Sequence, residues 1–245
     1  MKQRTAIVSL RFTSMALISV FAGIISFPSI GFPQSADGVK PKTQKQIEHD
    51  KIFDYDGDKD PRVPVHRLTD VKGDSILTVE SDLEPHYTGT RRSIYAYLAC
   101  RADAVVRGKV VAQTSVLTTN ESFAFTDADL SVTTVFKDNS ALHIAGGQTI
   151  TVTRPGGTVI EDGRKLSVRV TSLRDFSVGG DYLLFLAFLP ASQDYRAIGS
   201  GGRSYQIRGG LLQPMDLYPQ SVEQGEDDAA TALADLAFAV KRPCQ

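Results

Sequence analysis

Hydrophobic and polar residues alternate with a period of two through much of the chain. The pattern is most regular in residues 123–136, where Ala124, Ala128, Leu130, Val132 and Phe136 are interleaved with Asp127, Asp129, Ser131 and Thr133. Successive side chains of a strand point to opposite faces, so this pattern predicts a long strand with one face buried and the other wet. Residues 104–116 supply its partner, and the polar cluster Thr118-Thr119-Asn120-Glu121 between them predicts a hairpin turn. Shorter strands follow at 149–154, 166–170, 195–198 and 204–208, punctuated by Pro155-Gly156-Gly157, Asp162-Gly163 and Gly199-Ser200-Gly201-Gly202. Residues 182–189, YLLFLAFL, are apolar on both faces, as expected of a central strand, and far too short for a membrane helix. A weaker strand candidate is 75–80, SILTVE.

The period changes to that of a helix in two places. Residues 90–102 carry Ile94, Leu98 and Ala102 four apart, with Thr88 or Thr90 available as the cap. At the C-terminus Ala229, Leu233, Leu236, Ala237 and Val240 form an apolar stripe. Glu226, Asp227 and Asp228 precede it and Lys241 and Arg242 follow, both favourable to the helix dipole, and Pro243 ends it. Six or seven antiparallel strands without intervening helices predict a mainly β domain, a barrel or sandwich, with a short helix before it and a C-terminal helix packed on it.

Composition and charge refine this picture at the N-terminus. Lys2, Arg4 and Arg11 precede or flank a stretch, 12–27, that has no charged residue and ends at Pro28. That order of basic and apolar regions predicts an export signal over residues 1–35, with Ser29-Ile30-Gly31 or Ser35-Ala36 as the cleavage site. An uncleaved membrane anchor is the alternative, since 12–32 is nearly long enough to span. No later segment is a second span. Residues 36–65, rich in Pro, Gly, Lys and Asp, read as a flexible leader, and 66–245 as the β domain. Loss of the signal leaves 24 of the 27 Lys and Arg against 28 Asp and Glu, a net acidic chain. A nucleic-acid partner is therefore not expected, because phosphate binding depends on Lys and Arg releasing counterions. The expected partner is a protein or small ligand outside the cytoplasm, at the periplasm, the cell surface or in the medium.

Two cysteines, Cys100 and Cys244, fit an oxidising compartment and are the disulfide candidate; two unpaired thiols are the alternative. The four His residues, His49, His66, His86 and His143, have no zinc-ligand spacing, and none is near a Cys in sequence. Asp54, Asp56, Asp58 and Asp60 alternate like the start of a calcium loop, but Lys59 and Val65 stand where Gly and a bidentate Glu belong, so an acidic turn is the better reading. Gly199-Ser200-Gly201-Gly202 matches neither a nucleophile elbow nor a phosphate loop. No cofactor is expected. Asp127 and Asp129 share a strand face and are a carboxylate pair by position, and with His143 they are the candidates if the chain is an enzyme.

Three runs carry a resemblance: 102–111 (ADAVVRGKVV), 132–137 (VTTVFK) and 176–186 (FSVGGDYLLFL). Together they resemble exported bacterial proteins of uncharacterised function with an OB-like barrel and, distantly, the netrin-like barrel of tissue inhibitors of metalloproteinases. The resemblance spans roughly residues 102–212 and implies a small antiparallel OB-like barrel. It carries over no catalytic residue. In those inhibitors the inhibitory edge begins with an N-terminal cysteine, and residues 37–65 contain none. The reading that follows is a non-catalytic binding or interaction module. The alternatives are a hydrolytic enzyme whose site assembles only in the fold, and a protease-inhibitor-like module.

Overall fold

The computed structural model describes residues 44–53, 67–79, 90–171, 173–198, 204–215, 227–242 and 244. The predicted signal, the acidic run 54–60 and the Gly-rich run 199–202 lie outside the described residues, as do His66 and His86.

The fold is mainly β. Five strands form a ring: β2 (Ala104–Leu117), β3 (Ala124–Asp138), β4 (Thr149–Pro155), β8 (Asp194–Ala197) and β7 (Asp181–Leu189), with β7 pairing back onto β2. All neighbours are antiparallel except β4 and β8, which run parallel over only Val152↔Tyr195 and Thr153↔Arg196, so the ring closes least well there. This is the strand count and crossover of a small OB-like barrel. Beyond the ring, β9 (Ser204–Arg208), β10 (Leu211–Pro214) and the two-residue β11 (Asp227–Asp228) extend the sheet from β7. A separate three-stranded sheet is ordered β1 (Ser75–Val79), β6 (Arg164–Val170), β5 (Gly157–Glu161), with β1 and β6 parallel. Among the described residues there are thus eleven strands, where six or seven antiparallel ones were expected. The additions are short: β5 hides between the turn residues Gly156 and Asp162, and β10 and β11 have too few residues to show a period.

Apolar alternation explains which faces pack. Inside the ring lie Val106, Val110, Ala128, Leu130, Val132, Val152, Tyr182, Leu184, Leu186 and Tyr195. Leu183 and Phe185, the intervening residues of β7, point outward to a second core with Tyr205 and Leu212, which is why that strand is apolar throughout. A third core joins the small sheet to the tip of the β2–β3 hairpin through Phe123, Ala124, Leu166, Val168 and Val170.

One expectation about β3 is corrected. Val106 pairs with Val135 and Gly108 with Val132, leaving an extra residue in β3 between them. Such a bulge reverses the inward and outward faces beyond it. Val135 therefore packs on the barrel interior and Phe136 on the outer core, although Phe136 continues the inward series by simple alternation. Gly108 lies at this bulge, where a Cβ would meet the Ser131 carbonyl oxygen at 2.6 Å.

The second core is covered by α2 (Arg91–Arg101) and α3 (Ala229–Ala239). Thr90 caps α2 by accepting from the Ser93 amide, and Asp228 caps α3 by accepting from the Thr231 amide at 2.8 Å. Leu98 and Leu236 are fully buried between the helices and the sheet. The buried stripe of α3 includes Ala232 and Ala239 in preference to Leu233 and Val240, which are only partly buried; the small side chains face inward where α3 lies against α2. Asp235 on the same stripe accepts from Arg92 Nε at 2.7 Å. Cys100 and Cys244 form a disulfide, with Cα atoms 5.4 Å apart, that ties α2 to the chain end.

The largest departure from expectation lies within the stretch read as a flexible leader. Gln44–Phe53 is a helix, α1. Its residues show no apolar stripe, so period alone does not reveal it; it is held to the barrel by charged side chains. Among the described residues no helix is long and apolar enough to cross a membrane.

Candidate functional site

One end of the barrel is bounded by two turns, that between β2 and β3 and that between β7 and β8. Between them lie the first half of β3 and the start of β8, and α1 rests there.

Lys45 extends its ammonium between two carboxylates, 2.9 Å from Asp127 Oδ2 on β3 and 2.8 Å from Asp194 Oδ2 at the start of β8. Asp127 reaches this point because β3 alternates, and Asp194 because the β7–β8 turn ends there. Burial alone lowers the Lys45 pKa, but hydrogen bonds to Asp194 and Asp127 and the charges of both outweigh it, so the ammonium is held above its ordinary range.

One turn further along α1, Glu48 accepts from two consecutive amides of the β7–β8 turn, Ala191 at 3.1 Å and Ser192 at 2.6 Å. Adjacent amides pointing at one carboxylate form a small anion cradle. Burial raises the Glu48 pKa, but the hydrogen bonds from Ser192 and Ala191 and the neighbouring His49 outweigh it, leaving the carboxyl below its usual range. Asp50 makes the equivalent contact with the other turn: the Thr119 amide donates to it at 2.9 Å and the Thr119 hydroxyl donates to its second oxygen. That turn is itself fixed by Asn120, whose side-chain oxygen accepts from Thr118 Oγ1, the Ser122 amide and Ser122 Oγ.

His49 sits between these contacts and is fully buried. Its ring stacks on Phe125 of β3, with centroids 4.5 Å apart and planes inclined by 15°. Nδ1 donates to the Lys45 carbonyl at 2.6 Å, which turns Nε2 toward Asp127 Oδ1, 3.7 Å away. Thr153 of β4 is the cross-strand partner of Asp127, is fully buried, and has no hydrogen-bond partner for its hydroxyl among the described residues.

The candidates named from the sequence are distributed differently. Asp127 and Asp129 do share a face of β3, but Asp127 is half-buried under α1 and ion-paired, where alternation alone places it in solvent. Asp129 accepts from Thr151 Oγ1 at 3.2 Å. His143 is exposed in the loop after β3, with φ of 52°, beside Asp138 at the opposite end of that strand from Asp127. The structure therefore joins Asp127 with neither Asp129's partner nor His143, but with Lys45, His49 and Asp194. On α1, Lys45, Glu48 and His49 lie three and four apart in sequence, the spacing of one helical face. That is a signal within the leader, though a faint one without apolar company. Among the described residues there is no group of three or more His, Cys, Asp or Glu able to hold a metal ion.

No protein-family model matches the chain, and no curated protein is similar to it.

Proposed function

We propose that the chain is an exported, non-catalytic binding or interaction module whose recognition surface is the barrel end bounded by the β2–β3 and β7–β8 turns. The observation that carries this reading is the fit of that surface to charged side chains: two carboxylates converge on one ammonium, and the two turns each present donors to one carboxylate. A surface with separate, pre-aligned groups for cation and anion is suited to reading the charge pattern of a ligand. In OB-like barrels the strands and loops in this position form the ligand face. Asp127, one of the three candidates the sequence offers for an enzyme, is engaged in this recognition geometry, which favours binding over turnover.

Export is supported by the basic and apolar order of residues 1–35 and by the disulfide, which persists in oxidising compartments. The partner is a protein or small ligand outside the cytoplasm. Two measurements test the reading. Intact mass of the chain from the exported fraction should match cleavage between residues 31 and 36, with thiols alkylated only after reduction. NMR titration with a panel of cationic and zwitterionic peptides should move resonances of Thr119, Asp127 and Ser192 together. Saturation with the panel that leaves all three unmoved, or substrate turnover lost in Asp127→Asn, would replace the binding module by another function.

A further inference from the structure

We propose that α1 is a displaceable intramolecular ligand, a latch, and that the barrel end beneath it recognises a helix presenting an ammonium followed three and five residues later by carboxylates. This rests on the reading of that end as the recognition surface and supplies its ligand class.

Four observations lead there. First, the three contacts of α1 fall on three different parts of the barrel, and each part is matched to one charge: Asp127 and Asp194 to Lys45, the Ala191 and Ser192 amides to Glu48, and Thr119 to Asp50. Second, no described side chain of α1 belongs to any of the three apolar cores, and Ile47 and Ile52 are only partly buried. The three apolar cores are therefore assembled without the helix, whose buried ring, His49, stacks instead on Phe125 at the barrel end. Third, Thr153 is a fully buried hydroxyl without a hydrogen-bond partner among the described residues, on the strand pair beside Asp127. A resident that had been fitted as a permanent part of the core would be expected to satisfy it; a ligand with one more donor or acceptor at this point would gain that bond. Fourth, residues 54–66 join α1 to the rest of the chain, and thirteen residues extended reach about 45 Å, enough for the helix to leave while the barrel stays folded.

Helix formation and docking are coupled. A ten-residue helix is too short to stand alone in water, so α1 released from the surface loses its structure and re-forms on returning. The competitor that replaces it must offer the same charges in helical register. Removal of Lys45 takes away the ammonium that Asp127 and Asp194 share, and an incoming Lys or Arg side chain restores the counter-charge.

The test uses the full exported chain and a labelled, end-blocked peptide of residues 44–53 as probe. In the triple variant Lys45→Ala, Glu48→Gln, Asp50→Asn, amide exchange across 44–53 should accelerate at least tenfold while β2, β3 and β7 keep their protection. The peptide should bind this variant at least tenfold more tightly than it binds the wild-type chain, and adding Asp127→Asn should abolish the binding. Unchanged exchange at 44–53 in the triple variant would make α1 a fixed part of the fold and overturn the proposal. Equal peptide affinity for the wild type and the variant would also overturn it. Should the variant lose β-strand protection, the single Glu48→Gln chain is measured in its place, with the same criteria. If the uncovered barrel rejects the peptide yet its Thr119 and Ser192 resonances respond to other charged ligands, the helix specificity fails while the binding-module reading stands. If it responds to neither, both fail.

Discussion

The two helical layers of the molecule are attached to the barrel by opposite means. α2 and α3 bury Leu98, Ala99, Ala232 and Leu236 against Val105, Leu183 and Phe185, and a disulfide closes the pair. α1 contributes none of its described side chains to an apolar core and is held by Lys45, Glu48, Asp50 and the stacked ring of His49. Apolar burial is not screened by salt, does not depend on protonation, and offers no advantage to a water-filled alternative. Charged contacts exchange readily with water, so their net contribution is small and depends on conditions. One layer is built to stay and the other is able to leave.

The comparison is most severely tested at the stapled layer. Replacement of Cys100 and Cys244 by Ser opens a loop of 144 residues, and on chain-entropy grounds should cost up to about 5 kcal/mol in denaturant unfolding, with no change in exchange at 44–53. Leu236→Ala, at a fully buried site, should cost about 2–5 kcal/mol of global stability and lower the midpoint of every strand together. If α1 were lost first in either case, the independence of the two layers would be wrong.

Lys45→Ala should act the other way. Because the Lys45 side chain is about a third exposed, its pairs are partly screened, and the global cost should stay within about 1 kcal/mol. Protection of 44–53 should nevertheless fall, and the same local loss should follow a rise from 0.1 to 1 M salt in the wild-type chain. Global unfolding by Lys45→Ala comparable to that of Leu236→Ala would remove the distinction.

The smallest predicted effect is that of pH. The groups facing one another across this contact are Lys45, Glu48, His49 and Asp50 on α1 and Asp127 and Asp194 on the barrel. Glu48 is depressed in the docked state, so its contribution is present above the ordinary carboxylate range and disappears as pH falls through the depressed value. Lys45 is raised, so its contribution is present below the ordinary lysine range and disappears as pH climbs through the raised value. Exchange at 44–53 should therefore be slowest between about pH 5 and 10 and quicken below about pH 4, before β7 loses protection. Equal exchange at pH 4 and 7, corrected for the intrinsic rate, would show that the carboxylates do not hold the helix.

Where the sequence was legible, a single face of a single element carried the information. The β2–β3 hairpin, the fully apolar β7 and the capped helix α2 could be placed because alternation, apolar length and a Thr cap are local. The reversal at Phe136 was not visible, because a bulge in β3 is decided by how it pairs with β2. Half of the candidate surface was in view, since Asp127 stood out on its strand; the other half was hidden because Lys45, Glu48 and Asp50 lie in a polar stretch that resembles a linker. A helix held by charges leaves no hydrophobic signature in sequence.

The sequence by itself determined a mainly β domain with flanking helices, an acidic chain after the predicted signal, and one pair of cysteines available to each other. Each of these depends on residue type and short-range order. Only the tertiary structure decided that Cys100 meets Cys244 across 144 positions, that β7 returns to close the ring on β2, and that Lys45 lies between Asp127 and Asp194. Contacts between distant charges depend on how the strands bring their ends together, and no local pattern of residues records that arrangement.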